Sequence, residues 1–533
     1  MPGPDPFDPN DPRPARPDEI DAFLERFAWH PEPELVGFRH EAASREALAR
    51  LGEAAWTAGL DYLFGEALRR AMGEPVGYAD LRRHFFGDRN RPSPAPRDPS
   101  PSEAVLREFT ERIAPHQLNA YHPRSFSYFT PPPLPMSIVG EVLAQWTNQG
   151  IDVWHAGPVG AFVEEEVVRW LCELVGYDEE AFGLLASGGV MANFMAMALV
   201  RDIHLGTLLG SGPPPRGAAL EGARVYTSDQ THFSVGRALD ELGFPAGTLV
   251  VVPSDDRFRL HAAPVAEAIV RDRSAGLTPV AIAAVAGSTN TGSVDRIDEL
   301  ADLAVAEGLW LHVDAAYGGA ARLSDRDRER IPGLERADSI TIDPHKWFFQ
   351  AYDVGALVVR RGRDLVGTFH RSPEYYRGGS GDLLGTDEPL NFYQLGFEGT
   401  RRWRALKLWL SWKHLGTAGL GRLVEANDDL AAYLADRIAA SEDFDAVPAR
   451  PELSVVCFRH LPGGRAAADR LDPEQLDAHQ DRLQRVLEAS GDGWLSTTVL
   501  RGRTYLRAGI VNYLATEADV DRLLERLRGF AAA

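Results

Sequence analysis

The chain has 533 residues, more than one ordinary core accommodates, so one large domain with smaller lobes is expected. With 44% hydrophobic and 25% charged residues it has a globular composition, and a formal net charge of −21 speaks against nucleic acid or an anionic membrane as partner. Cys172 and Cys457 stand in apolar contexts with no disulfide or metal-ligand spacing, and neither an apolar leader nor a run of about 18 apolar residues occurs, so the cytoplasm is the default location.

Residues 1–17 (MPGPDPFDPNDPRPARP) lack the apolar side chains that offset ordering entropy and are expected to be disordered or extended. A short helix is predicted over 18–28. Residues 43–73 set Leu48, Leu51, Ala55, Trp56, Leu60, Tyr62, Leu63 and Leu68 at helical spacing, which predicts one or two amphipathic helices. The proline-rich stretch 90–101 reads as a linker. Residues 18–115 are therefore expected to form an N-terminal helical segment, whose long apolar faces and thin core point to packing on a partner subunit.

From about residue 120, short apolar runs alternate with helical stretches, the pattern of an α/β domain, taken here as 116–415. Strands are predicted at 224–227, 248–252, 279–285, 309–313, 339–342 and 354–359, with helices at 264–272 and 296–307. The last of these strands follows a tight turn and is a candidate antiparallel neighbour of the one before it. A strongly apolar helix is predicted at 400–416. A smaller α+β domain, 416–533, follows, with helices at 420–440, 473–489 and 516–530 and strands near 453–458 and 504–511.

Five segments carry candidate chemistry, mostly at the ends of predicted strands. Ser187-Gly188-Gly189-Val190 opens an apolar helix, and its exposed N–H groups suit a phosphate. His232, at a loop-to-helix entry, is placed to stack on a planar ring or move a proton. The polar turn Gly287–Gly292, with Thr289, lines the same crevice. Asp314 ends a strand and precedes Ala315 and Ala316, so an acid there can hold a heteroaromatic nitrogen protonated while the alanines admit a flat ring. Finally, Asp343-Pro344-His345-Lys346-Trp347 presents a lysine at the mouth of a buried strand, a costly placement unless the amine is used as a Schiff base. Alone, each segment also passes for something plainer: a glycine turn, a structural histidine, a loop, a helix cap, a surface lysine. Together they offer a phosphate cradle, an imidazole, an acid for a pyridine nitrogen and a Schiff-base lysine, a set that specifies pyridoxal 5′-phosphate (PLP) more tightly than any other cofactor.

At these residues the sequence resembles the group II PLP-dependent amino-acid decarboxylases, which include aromatic-L-amino-acid, glutamate and diaminobutyrate decarboxylases. The likeness is carried by HPRSFSYF (122–129), SGGVMANFMAMALVRD (187–202), YTSDQTHFSVGRA (226–238), LHVDAAYGG (311–319), DPHKW (343–347) and TRRWRALKLW (400–409). It implies the type I PLP-dependent, aspartate aminotransferase-like fold in a homodimer with active sites at the subunit interface. By position Lys346 looks like the lysine that holds the cofactor, Asp314 the partner of its ring nitrogen, His232 the imidazole over the ring and Ala316 the residue beneath it. Gly188, Gly189, Val190, Asp343 and His345 fall in the phosphate neighbourhood, and Thr289 lines the site. Arg371–Gly381 resembles the family's mobile lid, with Tyr375 where decarboxylating members carry the tyrosine thought to protonate the substrate carbon. Members that make aldehydes oxidatively often have phenylalanine there.

The implied reaction is decarboxylation of an L-amino acid to a primary amine and CO2. An oxygen-consuming aldehyde synthase or a C–C lyase on the same fold is the alternative, and a silent PLP-binding subunit is opposed by the intact Lys346, Asp314 and His232. The segment Gly150–Pro158 matches the family segment that lines the substrate pocket from the neighbouring subunit. Asp152 there favours a cationic side chain if it faces substrate and says nothing if it pairs locally, whereas Tyr128, Phe129 and Trp154 suit an aromatic or bulky aliphatic one. Asp343 departs from aromatic-type members, which often have asparagine; an acid beside a phosphate needs a hydrogen-bond partner.

Overall fold

Short apolar runs, most of them rich in valine and isoleucine, become the strands of one seven-stranded sheet: β1 (Phe182–Ala186), β2 (Ala223–Ser228), β3 (Leu249–Val252), β4 (Thr278–Val285), β5 (Trp310–Asp314), β6 (Ser339–Ile342) and β7 (Gly355–Val359). The computed structural model describes residues 17–37, 42–66, 69–71, 77–89, 91–371 and 389–532. The strand order is β1-β7-β6-β5-β4-β2-β3. Strands β2 to β6 pair in parallel, and β7 is antiparallel to both of its neighbours, β6 and β1. Strands β1, β5, β6 and β7 are buried along their whole length, as expected where helices cover both faces of a parallel sheet.

Each strand predicted for this sheet is present within one or two residues, and the antiparallel partner of the lysine-bearing strand is β7. The edge strand β1 was not among the predictions. A smaller antiparallel sheet, β8 (Phe444–Ala446), β9 (Val455–His460), β10 (Ser496–Leu500) and β11 (Arg503–Gly509), has the order β10-β11-β9-β8. The helix Glu517–Ala532 follows it and buries Val520, Leu523, Leu524 and Leu527.

Two predicted helices, 400–416 and 420–440, are halves of one element, Ala405–Ala439, interrupted at Gly416 with φ 67° and ψ 167°. That element begins five residues later than predicted because tertiary bonds take the preceding backbone: Ile151 N donates to Arg401 O at 2.9 Å, and Gly150 forms a bridge with Arg402.

The chain divides into two compact units: the residues up to Ser125 together with Val486–Trp494, and Phe126–Arg485 together with Leu495–Ala533. The first holds the helices Pro17–Leu24, Ala42–Asp61, Tyr78–Phe86 and Ser102–Glu108. Residues 91–101 form neither helix nor strand, as the linker reading expects, while the predicted disorder of 1–17 falls almost wholly outside the described residues. Among the described residues no helix is long and apolar enough to cross a membrane.

Candidate active site

The carboxyl ends of β2, β4, β5 and β6 open on one cavity of about 400 Å3 in the second unit. This is where parallel sheets present ligands, because the connections leaving those ends diverge and leave a crevice. Ten residues singled out from the sequence line it together: Gly188, Gly189, Val190, His232, Thr289, Asp314, Ala316, Asp343, His345 and Lys346. Tyr128, Phe129, Asp152 and Trp154 are not on its wall. Tyr375 lies outside the described residues.

The glycine turn leads from β1 into the helix Gly189–Leu199, whose first N–H groups have no acceptor within the helix. A Cβ on Gly189 would stand 2.8 Å from Asp343 Oδ2, so glycine is what lets the turn close on that carboxylate. The Asp343 carboxylate is almost completely buried. Its Oδ2 lies 3.0 Å from Lys346 Nζ, which answers the need for a partner, while Oδ1 has none among the described residues. Burial pushes the Lys346 ammonium down, but the carboxylates of Asp343 and Asp314 outweigh it and hold the amine above the ordinary lysine range.

Asp314, the last residue of β5, is buried and accepts from Asn193 Nδ2 at 2.8 Å and from Ala316 N at 3.1 Å. A carboxylate held by neutral donors keeps its charge available for a cation. His232 caps the helix Phe233–Glu241, accepting at Nδ1 from Ser234 N. Burial lowers its basicity, although Asp314 pulls the other way. His345 gives its Nδ1 proton to Val354 O at 2.6 Å, and burial likewise favours its neutral form.

Two residues went unrecognised in the sequence. Asn193 is a lone amide inside the apolar run GVMANFMAMAL, which is itself a signal, since a buried amide needs partners. Arg507 on β11 is buried with no carboxylate paired to it among the described residues: Nε donates to Thr289 O at 2.7 Å, Nη1 donates to Ser127 O at 2.7 Å, and the guanidinium lies 4.7 Å from the Phe129 ring centroid. Phe129 stacks in turn on Tyr317, a cavity residue, at 4.1 Å. No local pattern marks an arginine in a β-strand as part of such a stack.

The residues present fit PLP: an amine, a hydrogen-bonded carboxylate, free N–H groups at a helix start and an imidazole share one cavity of matching size. A family model described as the pyridoxal-dependent decarboxylase conserved domain matches residues 87–461. The chain is 34% identical to the aromatic-L-amino-acid decarboxylase of Bacillus atrophaeus over 77% of this chain and 81% of that protein. It is 31% identical to the L-2,4-diaminobutyrate decarboxylase of Rhizobium meliloti over 80% of this chain and 81% of that one. Phenylacetaldehyde synthase of Petunia hybrida is 28% identical over 83% of this chain and 87% of its own length. Among solved structures, that of Oryza sativa TDC with PLP and tryptamine matches with a TM-score of 0.84 at 25% identity, over 93% of this chain and 99% of that one.

Proposed function

The chain belongs to the pyridoxal-dependent decarboxylase family and is a PLP-dependent amino-acid decarboxylase of the type I PLP fold; from that premise we propose which residues carry the reaction. When bound, PLP supplies the electron sink for the pair left when the bond from Cα to the carboxylate breaks. Lys346 would hold the group covalently through its amine, and Asp314 would keep its ring nitrogen protonated. The N–H groups of Gly189 and Val190, beside Gly188, would take its phosphate, with Asp343, His345 and Thr289 at the margins. His232 would lie against the ring and Ala316 beneath it. Tyr375 would supply the proton that replaces the lost carboxylate at Cα, relayed by His232, and the Lys346 amine would free the primary amine product. Closure of the segment around Tyr375 would keep water from protonating the wrong atom.

The observation that carries this reading is the meeting of Lys346, Asp314 and a helix N-terminus in one cavity at the carboxyl ends of the strands. A homodimer goes with it. The helices Pro135–Thr147 and Pro158–Val175 leave Val142, Leu143, Trp146, Val159 and Phe162 exposed, an apolar area suited to a second copy. In that assembly Asp152 and Trp154 would reach the neighbouring subunit's substrate, with Tyr128 and Phe129 shaping the aromatic side of the pocket. An aromatic or bulky apolar substrate is favoured by Phe233 and Val190, both well exposed on the cavity wall. A diamino acid is the second class, resting on Asp152. The cysteines, both free and buried, accord with a cytoplasmic location. The division into 18–115, 116–415 and 416–533 completes the proposal.

The test is a mass-spectrometric product screen of the PLP-loaded protein against single L-amino acids, from Phe, Tyr, Trp and Dopa to Val, Leu, Glu, Lys and diaminobutyrate. A primary amine from the aromatic set is the expected result. Amine from diaminobutyrate alone would transfer the assignment to Asp152. Aldehyde with peroxide would move the chemistry to the oxidative alternative, for which the likeness to phenylacetaldehyde synthase is the support and Tyr375 the objection.

A further inference from the structure

Asn193 lies on the second turn of the helix Gly189–Leu199 and is 1% exposed. Its four hydrogen bonds run to three other segments: β5, β6 and the helix Phe233–Glu241. Nδ2 donates to Asp314 Oδ2 at 2.8 Å and to Ser234 Oγ at 2.8 Å. Oδ1 accepts from Thr341 Oγ1 at 2.7 Å and from His312 Nε2 at 3.0 Å. A carboxylate only accepts, so the amide must turn its NH2 toward Asp314 and its carbonyl toward Thr341 and His312.

That orientation places every other proton in the network. His312 carries its hydrogen on Nε2, so its Nδ1 accepts from Ser339 Oγ at 2.9 Å, and Ser339 Oγ accepts in turn from Trp310 Nε1 at 2.9 Å. All of these groups are buried, and burial lowers the His312 pKa to about 4, which keeps this relay neutral. On the other side, Ser234 Oγ accepts from Asn193 and lies 2.7 Å from His232 Nδ1, a nitrogen that the Ser234 N–H marks as an acceptor, so the hydroxyl gives its hydrogen to it. Ser234 N–H reaches the same nitrogen at 3.3 Å. Nδ1 of His232 is thus committed as an acceptor, and Nε2 is the ring nitrogen left to carry the proton.

We propose that Asn193 is a positioning residue that sets both the acid and the imidazole: its amide aims the Asp314 carboxylate and, through Ser234, fixes His232 as the Nε2–H tautomer. His232 then presents a hydrogen donor, Nε2–H, to the reacting molecule. The kinetic consequence rests on the decarboxylase assignment, whereas the tautomer does not. A leucine of similar bulk would strand Asp314, Ser234, Thr341 and His312 at once, a cost that a merely space-filling residue would not carry.

Two variants of the full chain separate the branches. Asn193→Asp has the same shape but replaces the donors facing Asp314 by an acceptor. Its kcat is expected to fall roughly 10- to 100-fold with little change in KM, the range seen when an orienting partner is lost. Activity should return toward acid pH as the new carboxyl takes up a proton and donates again. Wild-type kcat with a wild-type pH profile would overturn the proposal for Asp314. Ser234→Ala touches only the histidine branch and is read without substrate, with and without PLP, by proton–nitrogen correlation NMR of histidine-labelled protein, the His232 signal being assigned by its loss in His232→Gln. Wild-type His232 should show a bare Nδ1 and a protonated Nε2, and Ser234→Ala should mix the tautomers. An Nδ1–H signal in the wild type, or an unchanged signal in Ser234→Ala, would overturn the histidine branch even if decarboxylation is confirmed.

Discussion

Phe64, an apolar ring in the unit that runs to Ser125, is 74% exposed, whereas Arg401, a cation in the unit that holds the cavity, is 1% exposed. The two regions solve opposite problems. In the first, Trp29, Trp56, Phe64 and Tyr78 all lie open, and burial within the chain contributes little to holding its helices. In the second, so much surface is removed from water that polar groups go inside with it and must be matched one by one. Arg401 pairs with Glu164 at 2.5 Å, and Glu164 also accepts from Leu185 N at 3.0 Å, tying the entrance of the long helix to β1. The difference teaches that the cavity-bearing unit is specified by its own interior, while the N-terminal helices carry large apolar side chains that this chain leaves outside.

The largest effect expected inside the interior is chemical. Lys346→Ala should abolish amine formation, and Asp314→Ala should lower it by about a thousandfold, the scale of losing a preorganised electrostatic group. Both are checked by product quantitation beside a circular-dichroism spectrum, and an active Lys346→Ala protein would break the scheme. Next comes Glu164→Gln, which takes from buried Arg401 the nearer of its two carboxylates, Glu398 standing at 4.0 Å, and should lower unfolding stability by about 3–5 kcal/mol in urea titration. A loss below about 1 kcal/mol would mean that the pair is no better matched than a surface one.

A smaller, pH-dependent loss follows from His312. Burial depresses its pKa from the ordinary 6.5 to about 4, so between these values the unfolded chain binds a proton that the folded one refuses. The neutral imidazole therefore contributes fully above about pH 6.5, and its contribution fades as pH falls toward 4. His312→Gln should flatten the decline in urea midpoint between pH 7 and pH 5, and an unflattened decline would assign it elsewhere. The smallest effect on stability belongs to the open region: Trp56→Ser should change it by no more than about 0.5 kcal/mol. If the N-terminal helices await a second copy, the same substitution should still weaken self-association in sedimentation analysis. Unchanged association would erase the contrast.

Much of this was legible along the chain. The β-branched runs announced β2 to β7, since side chains that stiffen an extended backbone cluster where a sheet is buried on both faces. The edge strand β1, FGLLA, has no β-branched residue, and only its pairing with β7 makes it a strand. Likewise Arg401 belongs to an apolar helical pattern by sequence but is drawn out of the helix by its bond to Ile151, a partner 250 residues away.

The sequence by itself determined the chemistry: a lysine, an acid, an imidazole and a glycine turn, each readable because its signal lies within a few neighbouring residues. Only the tertiary structure decided how those groups are aimed. Asn193 meets Ser234, Asp314 and Thr341 from 41, 121 and 148 residues away, and hydrogen bonds over such separations leave no local period or motif. Their geometry exists only once the sheet has brought its strand ends together, because a hydrogen bond is fixed by distance and direction in space and not by position along the chain.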